Sequence, residues 1–554
     1  MLKKSFAGLL VAGAAWGLFS FTNSDASERY FDIAKNLDIF ATLFKEVNTY
    51  YVDDVPPTKL VRVGIDAMLK SLDPYTNFIP EDDIEDFRTM TTGQYGGIGA
   101  LVGKRDGRTI ISLPHQGSPA QKAGLLIGDE ILKIDGVDLA KKNDNEVSKL
   151  LKGQAGTPVK LEIKRFGVDK PMLVDVTRAN IQINNVPYYG MVNSEVGYLQ
   201  LSGFTVDAGV EVRKAVSKLK EQGAKKIILD LRDNPGGLLN EAVNISNLFL
   251  PRGKDIVSTK GKVTEYNKMY KALDEPLDVQ MPLVVLASSN SASAAEIVAG
   301  ALQDYDRAVL VGERTYGKGL VQMTRPLSYN SQLKVTTAKY YIPSGRCIQA
   351  IDYAHRNSDG TLNKTPDSLR AAFKTANGRV VYDGGGISPD IEVKEKPLPD
   401  IIRVLITKSY LFDYANRFKA ANPTIASAKD FKLSDAEYQK FVSYLNGKDI
   451  SYSTDVEKAL DNMIKKSKED KHYEDVRSDI EQIRKKVATN KSNDLVRFKP
   501  EITEMLEQEI AARYYLQKGI VESTFDDDQD ILAALDVLNN PTKYQGLLTA
   551  SAKK

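Results

Sequence analysis

The stretch that most limits how this chain can fold runs from Pro282 to Leu302. It opens with a short, continuous apolar run, Pro282-Leu-Val-Val-Leu-Ala-Ser-Ser289, which reads as a strand buried on both faces. It closes with Ile297-Val-Ala-Gly-Ala-Leu302, apolar at helical spacing and rich in helix formers. Between them lie small and polar residues, Asn290-Ser-Ala-Ser-Ala-Ala-Glu296. A strand, a tight polar turn and a helix form the unit from which α/β layers are built, and such turns often carry chemistry. The first N–H groups of a helix have no partner within it, so a serine at this turn sits beside ready donors for an oxyanion. A structural reading competes with this one: Ser293 and Glu296 have the spacing of a capping box, in which the serine only ends the helix.

The pattern repeats on either side. Val196–Leu201 alternates as a strand, Ala208–Leu219 is helical, and Lys226–Arg232 is a buried strand entering Asp233-Asn-Pro-Gly-Gly237. Leu238–Leu250 is helical, and Ala308–Val311 is a strand leading to Gly312-Glu-Arg-Thr-Tyr-Gly-Lys-Gly319. Strands alternating with helices predict an α/β layer with right-handed crossovers. Leu333–Tyr341 is a further strand, and the polar stretch from Asp352 to Val381 reads as a loop-rich flap. Upstream, Gly93 to about 182 holds short β-type runs and glycine turns with helix Asn145–Leu151, the pattern of a small, partly open barrel. Residues 27 to about 90 and those beyond 400 have helical periodicity, the latter with Lys- and Glu-rich faces expected to be solvated.

At 554 residues the chain is long enough for three or four domains. A formal net charge of +2 gives no electrostatic reason to expect a nucleic-acid partner. Lys3 and Lys4, the apolar run Phe6–Phe21 and the exit Asn23-Ser-Asp-Ala26 have the layout of a secretory signal peptide cut after Ala26. The expectation is therefore an exported protein of the periplasm or cell envelope of a bacterium, with an uncleaved inner-membrane anchor as the alternative. The single cysteine, Cys347, forms no internal bridge, so packed cores must hold the fold. His115, His355 and His472 are the only histidines and fall in three separate regions, so no metal cluster of the zinc kind is expected.

Gly312–Lys318 matches most of a phosphate loop, but Gly319 stands where the magnesium-holding Ser or Thr belongs, and a strand-like run follows instead of a helix. With histidine scarce, lysine is the other base open to a serine nucleophile. Lys318 follows Ser293 by 25 residues, room for one helix and one strand, which returns it to the same sheet edge. A lysine, ordinarily near ~10.4, needs a partly apolar setting to act as a base. Gln322 is placed to orient its amine, although the two lie about 13 Å apart in a fully extended strand, so a bend near Gly319 is required. Oxyanion donors are expected from Ala294 and from the Gly236-Gly237 loop.

Two resemblances follow from these residues. Gly97-Ile-Gly99-Ala100, Gly117-Ser-Pro-Ala, Ala123-Gly124, Gly128-Asp-Glu-Ile131 and Asp135-Gly136, in that order, resemble a PDZ domain over 91–182. The resemblance implies capture of a free protein C-terminus by strand addition, its carboxylate on the N–H groups of Ile98, Gly99 and Ala100. Asp230-Leu-Arg-Asp-Asn-Pro-Gly-Gly237, Ser291-Ala-Ser-Ala-Ala-Glu296, Gly317-Lys-Gly319 with Gln322, Pro343-Ser-Gly-Arg346 and Gly384-Gly-Gly-Ile-Ser-Pro-Asp390 are similar to the carboxyl-terminal processing peptidases, or tail-specific proteases. This implies a multidomain α/β protein: signal peptide 1–26, helical segment 27–90, PDZ domain 91–182, crotonase-like ββα serine peptidase core 183–396 and helical C-terminal domain 397–554.

By the same likeness Ser293 is the nucleophile, Lys318 the base and Gln322 its partner. No metal or other cofactor is implied. The implied partners are protein substrates with apolar, unstructured C-termini, with an adaptor protein and a homodimer as further expectations. Lys152 stands in the loop where some members carry a switching arginine, and a lysine lacks the arginine's forked contact. Two other readings stay open: a PDZ adaptor with an inactive core, and an ester hydrolase using His355.

Overall fold

The computed structural model describes residues 28–356, 361–394 and 397–549; the signal segment expected at 1–26 lies outside them. The chain divides into two compact units, one ending at Phe78 and the other beginning at Ile79. In the first, residues 28–50 form a helix, followed by helix Pro57–Lys70, started by a proline in its first turn. Tyr30, Phe31, Leu37, Phe40 and Leu43 of the first helix are exposed.

The second unit begins with a small β-domain. Strands β1 (Ala100–Arg105), β2 (Arg108–Pro114), β3 (Glu130–Ile134), β4 (Pro158–Lys164) and β5 (Met172–Thr177) pair in chain order, all antiparallel. Helix α1 (Asp144–Leu151) is started by a capping box between Asn143 and Glu146 and buries Val147 and Leu151. Ribbon Gln94–Gly97 with Ala179–Gln182 joins the two ends of the domain. Strand β1 is an edge, with one side open to a further strand.

The central layer follows. Strand β6 (Tyr188–Met191) runs antiparallel to β7 (Val196–Gln200). Helix α2 (Ala208–Glu221), strand β8 (Lys226–Asp230), helix α3 (Leu239–Phe249), strand β9 (Asp255–Gly261), strand β10 (Leu283–Ala287), helix α4 (Ala294–Asp304) and strand β11 (Val309–Gly312) come next. Strands β7, β8, β10 and β11 are parallel neighbours in one sheet. Strand β12 (Leu320–Pro326) and strand β13 (Gln332–Tyr341) form a long hairpin that joins β9 in a second sheet. Strand β14 (Ile391–Glu392) closes the edge of the central sheet against β11.

Alternate residues of the parallel strands enter two different cores, as the twofold strand period demands. Leu199, Ile227, Leu229, Leu283, Val285 and Leu310 pack with α2, α3 and α4. Tyr198, Ile228, Val284, Leu286, Val309 and Val311 pack with Val521, Phe525, Ile531, Ala534, Val537 and Leu538 near the chain's end. The last helices, among them α5 (Gln529–Asn539), therefore serve as the second cover of the peptidase sheet. The sequence reading gave amphipathic helices with solvated charged faces beyond residue 400 but no partner for their apolar faces; this contact lies between segments about 200 residues or more apart, which periodicity does not reveal.

The join carries charge as well. Arg232, at the end of β8, binds Asp230 at 2.7 Å, Asp528 at 2.8 Å and Asp530 at 2.9 Å. The Phe525 ring packs edge-on to Tyr198 at 5.3 Å between centroids. Phe525→Ala is expected to destabilise the protein by about 3–5 kcal/mol. A denaturant melt checks this, and a loss below about 1 kcal/mol would show that these helices only rest on the sheet.

Candidate active site

The turn after β10 is stitched to the turn after β8. Ser291 donates its hydroxyl proton to the Leu231 carbonyl at 2.7 Å, and Ala292 N–H donates to the Asn234 carbonyl at 2.9 Å. Ser291 is buried and acts as a brace. Ser293, two residues further on, is partly exposed and has φ 57° and ψ −114°. A non-glycine residue in that region stores on the order of 1–3 kcal/mol of strain, a cost carried by the surrounding packing. This is the sharp strand-to-helix turn on which α/β hydrolases present a nucleophile.

Gly236 has φ +94°, and a Cβ there would lie 2.7 Å from the Ala292 oxygen and 2.8 Å from the Ala294 nitrogen. Only glycine permits that approach. The Gly236 N–H donates to Asn234 Oδ1 at 2.8 Å, and Gly236 is thereby spent as a donor in this state. The N–H groups of Gly237 and Ala294 make no hydrogen bond among the described residues.

Lys318 is half-buried in the loop between β11 and β12, with a strand and no helix after it, so the arrangement of a phosphate loop is absent. The pairing of β12 with β13 slips between Val321 and Gln322, a bulge three to four residues beyond Lys318. The Gln322 amide nitrogen donates to Thr336 Oγ1 at 3.1 Å, so one end of this side chain is fixed by the hairpin partner.

Glu296 joins the two halves. Its side chain is fully buried. Oε2 accepts the N–H of Ser293 and the N–H of Lys318, both at 2.9 Å. Oε1 accepts the N–H of Gly317 at 2.7 Å and the Thr315 hydroxyl at 2.5 Å. The bond from the Ser293 N–H is the return half of a capping box, in which the helix-start glutamate reaches back to the residue that caps the helix. From the other side the buried Tyr340 hydroxyl meets the carbonyls of Ser293, at 3.1 Å, and of Lys318. The sequence reading held Glu296 only as a cap and did not single out Thr315, Thr336 or Tyr340. The Glu296 cue was its exact helical spacing from Ser293; the others are long-range contacts with no local cue.

In the β-domain a groove of about 100 Å³ runs between the β1 edge and α1. Ile98, Ala100, Val102, Val147 and Leu151 supply its apolar lining, and Tyr95, Asp144, Ser148 and Lys152 its polar part. Lys152 is paired with Asp86 at 2.7 Å. Ile98 and Gly99 precede β1, with Gly99 at φ +73° and its would-be Cβ blocked by Ser118 at 2.5 Å. His355 is exposed on the flap, bound to Asp352 at 2.8 Å. Among the described residues no group of His, Cys, Asp or Glu has the arrangement of a metal site.

A strained serine at a strand-to-helix turn, a lysine tied to it through one carboxylate, and a strand-accepting domain upstream define a serine peptidase with a peptide-binding module. The sequence comparisons specify it further. The model "Peptidase family S41" matches residues 195–354, "PDZ domain" matches 110–165, and "Probable PDZ-protease, C-terminal helical domain" matches 401–538. A "Carboxy-terminal-processing protease" of Bartonella bacilliformis (strain ATCC 35685 / KC583 / Herrer 020/F12,63) is 39% identical over 336 residues, 60% of this chain and 76% of that protein. "Carboxy-terminal processing protease CtpA" of Bacillus subtilis (strain 168) is 32% identical over 426 residues, 76% of this chain and 89% of that protein. A solved structure, "Photosystem II D1 C-terminal processing protease", aligns at 28% identity and TM-score 0.35 over 65% of this chain and 93% of that one. The chain belongs to the S41 peptidase family and is a carboxy-terminal processing serine protease with a PDZ domain.

Proposed function

We propose that this is an exported endopeptidase that captures an unstructured, apolar-ended C-terminus in its PDZ groove and cuts the same chain upstream with Ser293 and Lys318. Ser293 Oγ attacks the substrate carbonyl while the neutral Lys318 amine takes its proton. The Gly237 and Ala294 N–H groups receive the oxyanion, with Gly236 giving the loop its close approach. Lys318 returns the proton to the leaving amine, the C–N bond breaks, and an ester to Ser293 remains. Water, deprotonated by Lys318, attacks the ester, the bond between the acyl carbon and Ser293 Oγ breaks, and Lys318 gives the proton to Oγ. Gln322, held at one end by Thr336, orients the lysine amine. The observation that carries this reading is the Glu296 carboxylate, which hydrogen-bonds the N–H of both Ser293 and Lys318 and so seats the two residues side by side.

In the groove the carboxylate rests on the N–H groups of Ile98, Gly99 and Ala100, the terminal side chain enters the apolar channel, and the peptide extends along β1. The exposed apolar row from Tyr30 to Leu43 is the surface offered to a second copy of the chain.

Paired substrates test tail capture. An unfolded protein ending in apolar residues should be cut efficiently. The same protein with an amidated C-terminus should bind about ten to a hundred times more weakly, the value of a charge-assisted hydrogen bond. Equal binding and cleavage of both forms would remove the tail-capture step.

A further inference from the structure

The bonds around Ser293 and Lys318 form a closed ring. Their two N–H groups meet on Glu296 Oε2, and their two carbonyls share the single proton of the Tyr340 hydroxyl, with Lys318 the nearer of the two. Each residue is thus gripped at both of its adjoining peptide groups, by side chains that are themselves buried. Glu296 lies on α4, the helix that begins one residue after Ser293. Tyr340 lies on β13, whose N–H at that position donates to the Gly319 carbonyl at 3.0 Å. The ring therefore spans elements that would otherwise drift independently: the nucleophile turn, the base loop and the second sheet.

The hydrogen-bond pattern around Glu296 favours its ionised form. Three of its four partners are backbone N–H groups, which only donate. The fourth, the Thr315 hydroxyl, accepts the Ile387 N–H at 2.7 Å and so turns its own proton toward Glu296. A protonated carboxyl would find only the Thr315 hydroxyl oxygen as an acceptor, and only if that hydroxyl gave up its own bond to Glu296. Burial raises the Glu296 carboxyl above the ordinary carboxylate range, and the four donors oppose that rise without cancelling it. The all-donor shell is built for the ionised form.

We infer that Glu296, as a buried carboxylate, and Tyr340 are positioning residues that hold the Ser293 nucleophile and the Lys318 base at reacting distance across two separate sheets. This rests on the assignment of Ser293 and Lys318 made above. Displacing a reacting group by about 1 Å costs on the order of a hundredfold in rate, so a ring that fixes both backbones acts on kcat. It has no contact with the PDZ groove and should leave tail binding untouched.

Glu296→Gln is nearly isosteric but offers one acceptor oxygen and an NH2 group. Whichever way the amide turns, one pair of donors then faces another donor. The full-length variant should keep its near-UV circular dichroism and bind a tail peptide as the parent does, with kcat lower by about a hundredfold and KM unchanged. A fluorophosphonate should still reach a full complement of serines per folded molecule, but about a hundredfold more slowly. Tyr340→Phe removes only a hydroxyl and should lower kcat about tenfold; it keeps the test decisive if Glu296→Gln does not fold.

A merely structural role would instead give fewer labelled molecules, each reacting at the parental rate, and that result would overturn the inference. So would parental kcat in folded Glu296→Gln, or in Tyr340→Phe where Glu296→Gln does not fold. Ser293→Ala run alongside separates the two levels. An inactive Ser293→Ala with a fully active Glu296→Gln leaves the nucleophile in place and removes the clasp, whereas an active Ser293→Ala removes the assignment itself.

Discussion

Ser293→Ala is expected to lower cleavage of an unfolded, apolar-ended protein by on the order of 10⁶-fold, with tail-peptide binding at the parental level. The loss is large because no other hydroxyl shares the position. Ser291, two residues earlier, is buried and spends its proton on the Leu231 carbonyl. Alanine removes the hydroxyl from a residue held at φ 57° without changing the packing around it, so the fold should persist. The PDZ groove is a separate structure between β1 and α1, which is why capture and cleavage should come apart. Gel-based turnover and calorimetric binding on the same preparation check both halves. Retained cleavage would place the nucleophile elsewhere.

Lys318→Met is expected to lower kcat by about 10²–10⁴-fold, through loss of the general base and of the proton donor to the leaving amine. Methionine keeps most of the lysine stem and removes the amine. The contacts that seat residue 318 run through its N–H to Glu296 and its carbonyl to Tyr340, and both survive the substitution. The loss therefore reads the chemistry of the amine. The alternative in which His355 serves as base predicts the opposite pair of results: Lys318→Met active and His355→Ala inactive. His355 is 85% exposed on the flap and held by Asp352, a setting with no link to Ser293. Single-turnover kinetics at several pH values check the prediction, and a kcat within tenfold of the parent would contradict it.

The strand–turn–helix units were legible because each rests on local pattern. Continuous apolar runs predicted β8, β10 and β11, and the serine between β10 and α4 fell where such turns present a nucleophile. The strand-like run after Lys318 is β12, and its bulge lies at Val321–Gln322, two to three residues beyond the bend expected near Gly319. What stayed hidden is non-local. Thr336 and Tyr340 reach the site only because β13 folds onto β12, a pairing that no residue near Ser293 announces. The C-terminal helices had amphipathic faces in the sequence, but nothing there named Tyr198, Val284 and Leu286 as what those faces cover. Glu296 was visible and under-read. Its spacing from Ser293 described half of its role, and the other half is a bond to the N–H of a residue 22 positions later.

The PDZ groove shows the same division. Its glycine turns and α1 were read from local pattern, whereas the Asn143–Glu146 capping box that starts α1 was not singled out. The pairing of Lys152 with Asp86 joins the groove's end to the helix Ile84–Thr92 that precedes the domain, and the sequence alone held no sign of it.

The central claim, that Ser293 becomes acylated with Lys318 as its base, is tested most directly by trapping the covalent intermediate. The parent protein and Lys318→Met are mixed with an activated ester of a short apolar peptide, quenched in acid, and mapped by mass spectrometry after digestion. The account predicts one acyl group per molecule on the peptide containing Ser293 in the parent, and none on the same timescale in Lys318→Met. An acyl group on any other residue, or equal acylation of Ser293 in both proteins, would contradict it.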